Sequence, residues 1–316
     1  MGVQRRTMHR ATDDDDSTTG LLAKPSQPPQ HKSKTLTWNE IPKWMQDNQY
    51  ITTGYRYPTG SYTGCIKTLF FLHNESVNIW SHLIGFLVFV WLGVDFLYNQ
   101  PFSDSLTTFD IAYFLIFIGG ALCCLGFSSS FHCFSCHSEP VAITWNRCDY
   151  AGITTLIVGS YFPVVYYGFH CHHALQTIYL SIVAVLGSCT AAVTLLKHFR
   201  TPAYRWVRTS LFLALGCFGV VPTLHGIYLY GLRNSFETIS LSHMAMMGLS
   251  YISGALIYGC RVPERFRPGL FDIWGASHQI FHLAVVAALW AHYTGVLKAM
   301  AFWHDKNNNM CATFLP

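Results

Sequence analysis

The chain has 316 residues, of which 51% are apolar, 16% aromatic and only 11% charged. Soluble domains carry about 25% charged residues, so this composition excludes a chain whose surface faces water throughout. The formal net charge of +4 is modest; where the basic residues lie says more than their number, and no nucleic-acid partner is expected.

Residues 1–36 are polar, with Arg5, Arg6 and Arg10, the run Asp13 to Asp16, and the Pro/Gln-rich stretch Pro25 to Gln30. They read as a disordered tail. No leading apolar run with a cleavage site stands there, so no signal peptide is expected. Arg6 occupies the position where N-myristoylation wants Ser or Thr. Residues 37–72 read as a juxtamembrane segment. Thr37-Trp-Asn-Glu40 has the form of a helix capping box. With Ile41, Trp44 and Met45 behind it, the pattern predicts a short helix at the membrane surface, Pro42 being tolerable only in its first turn.

Seven apolar stretches follow, near 76–98, 111–131, 150–169, 176–196, 209–230, 241–259 and 276–296. Each is about 20 residues long, enough to cross roughly 30 Å of hydrocarbon. Pro163 and Pro222 fall inside two of them, which membrane helices accept when neighbours satisfy the freed backbone groups. The expected fold is an all-α membrane protein, with a seven-helix domain over 73–298 and a short tail over 299–316. With the N-terminus in the cytosol, 17 of the 20 Lys and Arg residues fall on the cytosolic side. The far side then keeps only Arg233, Lys298 and Lys306. The positive-inside rule therefore predicts the N-terminus inside and the C-terminus extracellular or lumenal. In that orientation the Asn74-Glu-Ser76 sequon is cytosolic and unglycosylated.

Ionisable groups inside spans are costly and usually functional, and here they converge on one depth. Glu75, Asn78 and His82 open the first span at spacings of three and four, on one helix face. Ser128 and His132 close the second, Asp149 opens the third, and His278 and His282 open the seventh. Alternating direction brings all eight to the same side. A His-x-x-x-His pair points two imidazoles one way, and a third histidine at that depth completes a set suited to zinc, with a fourth position open. Asp149 is placed to orient a water there or accept its proton, and Ser128 to hydrogen-bond nearby. Glu75 and Asn78 serve either to hold His82 and satisfy a helix end or to take part in function.

Other motifs have simpler readings. Cys123, Cys124, Cys189, Cys217 and Cys260 lie in apolar runs and pack as small hydrophobes; the cysteine spacing shows no disulfide framework. His132-Cys133-Phe-Ser-Cys136-His137 resembles half a zinc knuckle, but no second ligand pair follows. His170, His172 and His173 read as a polar surface loop, His225 and His243 as bonded core residues or cavity lining, and His73 and His137 as interfacial. Trp80, Tyr161, Phe162 and Trp290 read as lipid-facing or core. Polar residues at one depth, rather than along a path, argue against a transporter.

The segments Asn74-Glu-Ser-Val-Asn78-Ile-Trp-Ser-His82, Ser128-x-x-x-His132, Cys-Asp149-Tyr-Ala-Gly, Thr201-Pro202, Val220-Val-Pro222-Thr-Leu-His225 and Ser277-His278-Gln-Ile-Phe-His282 resemble, in order, the progestin and adipoQ receptor family. The resemblance covers roughly residues 36–300. Ile41-Pro42 to Gly54-Tyr-Arg56 and Cys65-Ile-Lys67 to Trp80 look most like the Golgi-resident member that traps Raf kinase. Phe271-Asp-Ile-Trp274 and the Ser128 motif look more like the adiponectin receptors. The resemblance implies zinc held by His132, His278 and His282, with Asp149 near the water that zinc would activate. It also implies a lipid-accessible cavity among the helices for a ceramide, other sphingolipid or fatty acid. Adiponectin-receptor relatives are associated with ceramidase activity. The alternative is a non-catalytic receptor or scaffold with a structural zinc, which recruits a protein ligand or kinase partner through its N-terminal tail. Either the plasma membrane or the Golgi and other endomembranes would suit it.

Overall fold

A helix in hydrocarbon satisfies its backbone groups internally, leaving its side chains to decide which face meets lipid and which meets protein. The computed structural model describes residues 34–99, 105–305 and 311. The acidic run Asp13 to Asp16 and the Pro/Gln-rich stretch expected to be disordered lie outside them. Among the described residues there is no β-strand, only an isolated bridge between Leu36 and Tyr55. The helices are α1 (Tyr62–Lys67), α2 (Ser76–Tyr98), α3 (Thr108–Phe134), α4 (Glu139–Gly168), α5 (His173–Leu195), α6 (Arg205–Cys217), α7 (Val220–Tyr230), α8 (Leu232–Thr238), α9 (Leu241–Cys260) and α10 (Ser277–Trp303). Among the described residues, six spans are long and apolar enough to cross a membrane: α2, α3, α4, α5, α6 with α7, and α10. The seventh, α9, has 20 residues and no charged side chain but is less apolar. The chain is a seven-helix, multi-pass integral membrane protein.

Local chemistry sets several boundaries. At the start of α3, Thr107 and Asp110 form a reciprocal capping box, the Asp110 carboxylate accepting from Thr107 N at 2.8 Å. The third span starts ten residues before Asp149, because Pro140 in the first turn of α4 needs no hydrogen-bond partner for its nitrogen. Asp149 therefore lies nearly three turns inside α4 rather than opening it. The fifth span is jointed at Phe218–Gly219, close to where Pro222 removes a backbone donor. The surface helix expected after Thr37 is a single 3-10 turn, Lys43–Met45. Glu40 does accept from Thr37 N and Oγ1, both at 2.8 Å, but Pro42 is extended and breaks the run.

Inside a bilayer, helices associate by close packing rather than by escape from water. Helix α10 is the most enclosed, packing on α2, α3, α4, α8 and α9. The central core joins Phe89 and Phe96 of α2, Phe114, Phe117 and Leu125 of α3, and Leu289 and Val296 of α10. Helices α3 and α4 meet along a seam of small residues. A Cβ on Gly152 would lie 2.9 Å from Cys124 Cα, and one on Gly120 would lie 3.0 Å from the Thr155 carbonyl oxygen. This close approach carries Asp149 towards the end of α3.

The cysteine reading needs correction. Cys171, after α4, and Cys311 form a disulfide with Cα atoms 5.4 Å apart. A sequence separation of 140 hides the pair from any local spacing rule. His170, expected in a loose polar loop, is instead stacked on Trp303 at 4.7 Å. His73, expected at the interface, is fully buried. Its Nδ1 accepts from Glu75 N, and burial, with Arg56 nearby, pushes its imidazole down to about 3, so it is neutral.

Gly152→Val should lower stability by about 1–3 kcal/mol, because the added carbons meet backbone atoms that cannot swing away. Gly119→Val, with nothing within 4 Å of the new Cβ, should stay within about 0.5 kcal/mol. Thermal unfolding of the two variants in detergent checks the seam, and equal melting temperatures would refute it.

Candidate metal centre

The last turn of α3 and the first two turns of α10 place three imidazoles at one point. The ligating atoms of His132, His278 and His282 all lie within 4.8 Å of one another, and this set could hold a metal ion. His132 and His282 are buried and His278 is half-buried. The Nε2 atoms of His132 and His278 are 3.1 Å apart. The ring centroids of the three pairs are 4.8 to 4.9 Å apart, so the three rings surround a common centre.

The far ring nitrogens explain the convergence. His132 Nδ1–H donates to Glu75 Oε2 at 2.7 Å. His282 Nδ1–H donates to the Asn78 carbonyl at 3.0 Å. Asn78 Nδ2 in turn donates to the same Glu75 oxygen at 2.7 Å. With Nδ1 committed in both rings, each keeps Nε2 as a lone-pair donor. This is the outer hydrogen bonding that sets tautomer and ring orientation in metal-binding histidines. The donor set therefore fits a borderline ion such as zinc, which imidazole suits better than it suits calcium or magnesium. Glu75, the residue before α2, holds the α3 ligand and Asn78, whose backbone carbonyl holds the α10 ligand.

The remaining expected residues fall around the triad. His82, two turns into α2, stacks on His282 with centroids 3.7 Å apart and planes 15° apart. Both of its ring nitrogens are buried without a hydrogen-bond partner, so it braces His282 by ring contact. Asp149 is buried and lies close to the buried Ser128, one turn before His132. The structure thus brings all eight residues to one end of the bundle, with Asp149 beside the three-histidine set rather than in it.

The half-knuckle residues have another role. Cys136 Sγ lies 3.6 Å from Cys65 Sγ on α1, and this bond holds the Cys65 thiol below its ordinary range. Sequence reasoning missed Arg56, which is buried and bonded to the backbone at the end of α3. It also missed Glu264 and Asp272, buried acids just ahead of α10. A lone arginine in a polar stretch, or an acid in a basic loop, carries no local signal of burial.

A bundle of seven spans with a buried histidine triad at one end defines a class of polytopic membrane protein with a candidate metal centre. Residues 70–293 match the family described as haemolysin-III related, and the chain belongs to that family, with relatives named as progestin and adipoQ receptor proteins. It is 43% identical over 263 residues to the adiponectin receptor protein of Drosophila melanogaster, covering 83% of this chain and 59% of the relative. It is 39% identical to progestin and adipoQ receptor-like protein 1 of Caenorhabditis elegans, over 92% of this chain and 65% of that one. Identity to the ADIPOR-like receptor IZH2 of Saccharomyces cerevisiae is also 39%, over 87% of each chain. The chain thus spans about three-fifths to two-thirds of the length of its fly and worm relatives.

Glu75→Gln keeps the size of the side chain but replaces the carboxylate that accepts from His132. Metal affinity should fall by about 10–100-fold, measured by competition against a chelator of known affinity. An unchanged affinity would mean that the Glu75 bond does not orient His132.

Proposed function

We propose that this protein is a zinc-holding receptor of the adiponectin-receptor type, able to hydrolyse the amide bond of a membrane lipid of the ceramide class. The observation that carries this reading is the convergence of three imidazoles, from helices distant in sequence, beside the buried Asp149–Ser128 pair. His132, His278 and His282 would hold the ion. Bound there, zinc would supply Lewis acidity, lowering the pKa of a water and polarising a carbonyl oxygen.

The chain's own groups then have separate tasks. Asp149 accepts the proton of the attacking water and returns it to the departing amine, the role general base catalysis gives a buried carboxylate. Ser128 donates its hydroxyl to Asp149 or to the oxygen that gains charge. Glu75 and the Asn78 carbonyl keep the imidazoles in one tautomer through the cycle. The lipid would enter from the bilayer into an intramembrane cavity, so the amide need not leave the membrane.

Orientation follows the basic residues, with the N-terminus and the histidine end in the cytosol and the C-terminus outside or in the lumen. The Cys171–Cys311 disulfide supports this, since disulfides persist in oxidising compartments and this one lies beyond the opposite ends of α4 and α10. A plasma-membrane or an endomembrane location, Golgi included, suits it equally. The bonds from Glu75 and Asn78 to His132 and His282 favour a second reading. An ion there would fasten α2, α3 and α10 together without any turnover, leaving a scaffold that recruits a protein or kinase partner through the N-terminal tail.

Purified protein should contain close to one zinc per chain, lost in His278→Ala. Asp149→Asn should keep the zinc and lose ceramide turnover by about 100-fold or more. Elemental analysis and fatty-acid release on the same samples check both. Zinc without turnover in any sample selects the scaffold, and a wild type free of zinc refutes both readings.

A further inference from the structure

The segment before α1 touches both helices that supply the triad. Arg56, only 2% exposed, sits under the end of α3. Its Nη2 donates to the carbonyl of His132 at 2.5 Å and to Ser135 Oγ at 3.0 Å. Its Nη1 donates to the carbonyl of Cys133 at 2.9 Å and to Thr68 Oγ1 at 3.1 Å. The last four carbonyls of a helix have no partner within it, and a cation there also meets the negative end of the helix dipole. Here one guanidinium fills two of those carbonyls, one of which belongs to His132 itself. Thr59 N and Gly60 N continue the attachment, donating to the carbonyls of Cys136 and His137 at 2.8 and 2.9 Å.

A few residues earlier the same segment grips the other ligand carrier. Backbone N–H and hydroxyl of both Thr52 and Thr53 donate to the Asp272 carboxylate, at 2.7 to 3.0 Å. Asn48 Nδ2 donates to Glu264 Oε1 at 3.1 Å. Glu264 also accepts from Ser277 N at 2.8 Å and from Ser277 Oγ, which fixes the first residue of α10 next to His278. The segment therefore connects the end of α3 to the start of α10, across 146 residues of sequence between His132 and His278.

Resting on the metal reading above, we infer that residues 48–60 are a brace that sets the spacing between His132 and the His278–His282 pair, with Arg56 as its positioning residue on α3. Arg56 touches no ligand ring. It holds the backbone of His132 while Glu75 holds the ring, so its loss frees the ligand at one of two fixed points. Lysine is a poor substitute, because a single ammonium cannot reach four acceptors spread around a planar fork. By linkage, whatever the brace contributes to metal binding, metal binding returns to the brace.

The test compares full-length wild type, Arg56→Gln and Arg56→Lys in detergent, titrated with zinc against a competing chelator and melted with and without zinc. Arg56→Gln should bind zinc about tenfold more weakly, with Arg56→Lys in between. The melting temperature gained on adding zinc should shrink in the same order. A role confined to capping α3 would lower the apo and zinc-bound melting temperatures equally and leave affinity within twofold, which overturns the inference. Should Arg56→Gln fail to fold, hydrogen exchange in the wild type decides. Stripping zinc should speed exchange at the Thr59 and Gly60 amides about tenfold while leaving Phe169 and His172 unchanged. No change at Thr59 and Gly60 overturns the brace. A wild type that takes up no zinc at all removes the metal reading, and the brace as a metal-positioning device with it.

Discussion

A histidine can donate from one ring nitrogen and offer a lone pair from the other, and the bond from His132 Nδ1 to Glu75 settles which nitrogen does what. With that bond made, Nε2 can only face His278 and His282. Glu75 immediately precedes α2 and His132 ends α3, so this carboxylate ties those two helices, while the Asn78 carbonyl of α2 reaches His282 of α10. An apolar side chain at position 75 would leave Nδ1 of His132 unsatisfied in a medium where an unmade hydrogen bond costs several kcal/mol. The Asn78 carbonyl does the same for His282 using backbone that α2 offers at its first turn, where helical geometry brings Asn78 beside Glu75.

Packing decides where Asp149 falls. Gly120 and Gly152 let the backbones of α3 and α4 approach until a Cβ would collide with main-chain atoms. That distance puts the Asp149 carboxylate against Ser128 instead of a helix diameter away. A carboxylate nearly three turns inside a membrane helix is expensive. It is kept here beside the Ser128 hydroxyl, at the same end of the bundle as His132.

Much of this was legible in the residues. Hydropathy located the spans, the turn spacing of His278 and His282 gave their common face, and the alternation of direction put Glu75, His132, Asp149 and His278 at one depth. The missed partners share one cause, which is that they depend on contacts distant in sequence. Cys171 and Cys311 look unrelated until the ends of α4 and α10 are adjacent. Arg56 looks solvated until α3 ends above it. Boundaries failed where local chemistry outweighed hydropathy: Pro140 allowed α4 to begin in a polar stretch, and Pro42 stopped a helix that Thr37 and Glu40 had otherwise started.

Helices α3 and α10 run antiparallel, and each has both ends tied to the other. At one end His132 meets His278. At the opposite end Asp110, in the first turn of α3, accepts from His304 Nε2 at 3.0 Å, one residue past the end of α10. Asp110 also accepts from Tyr167 Oη at 2.7 Å, which draws the end of α4 into the same node. Between these ends lie Phe114, Phe117, Leu125, Leu289 and Val296, packed as one core. Two helices pinned twice and filled between cannot slide along one another or splay without breaking a buried polar contact. The spacing of the histidines thus depends on the α3–α10 pair as well as on the residues that touch their rings.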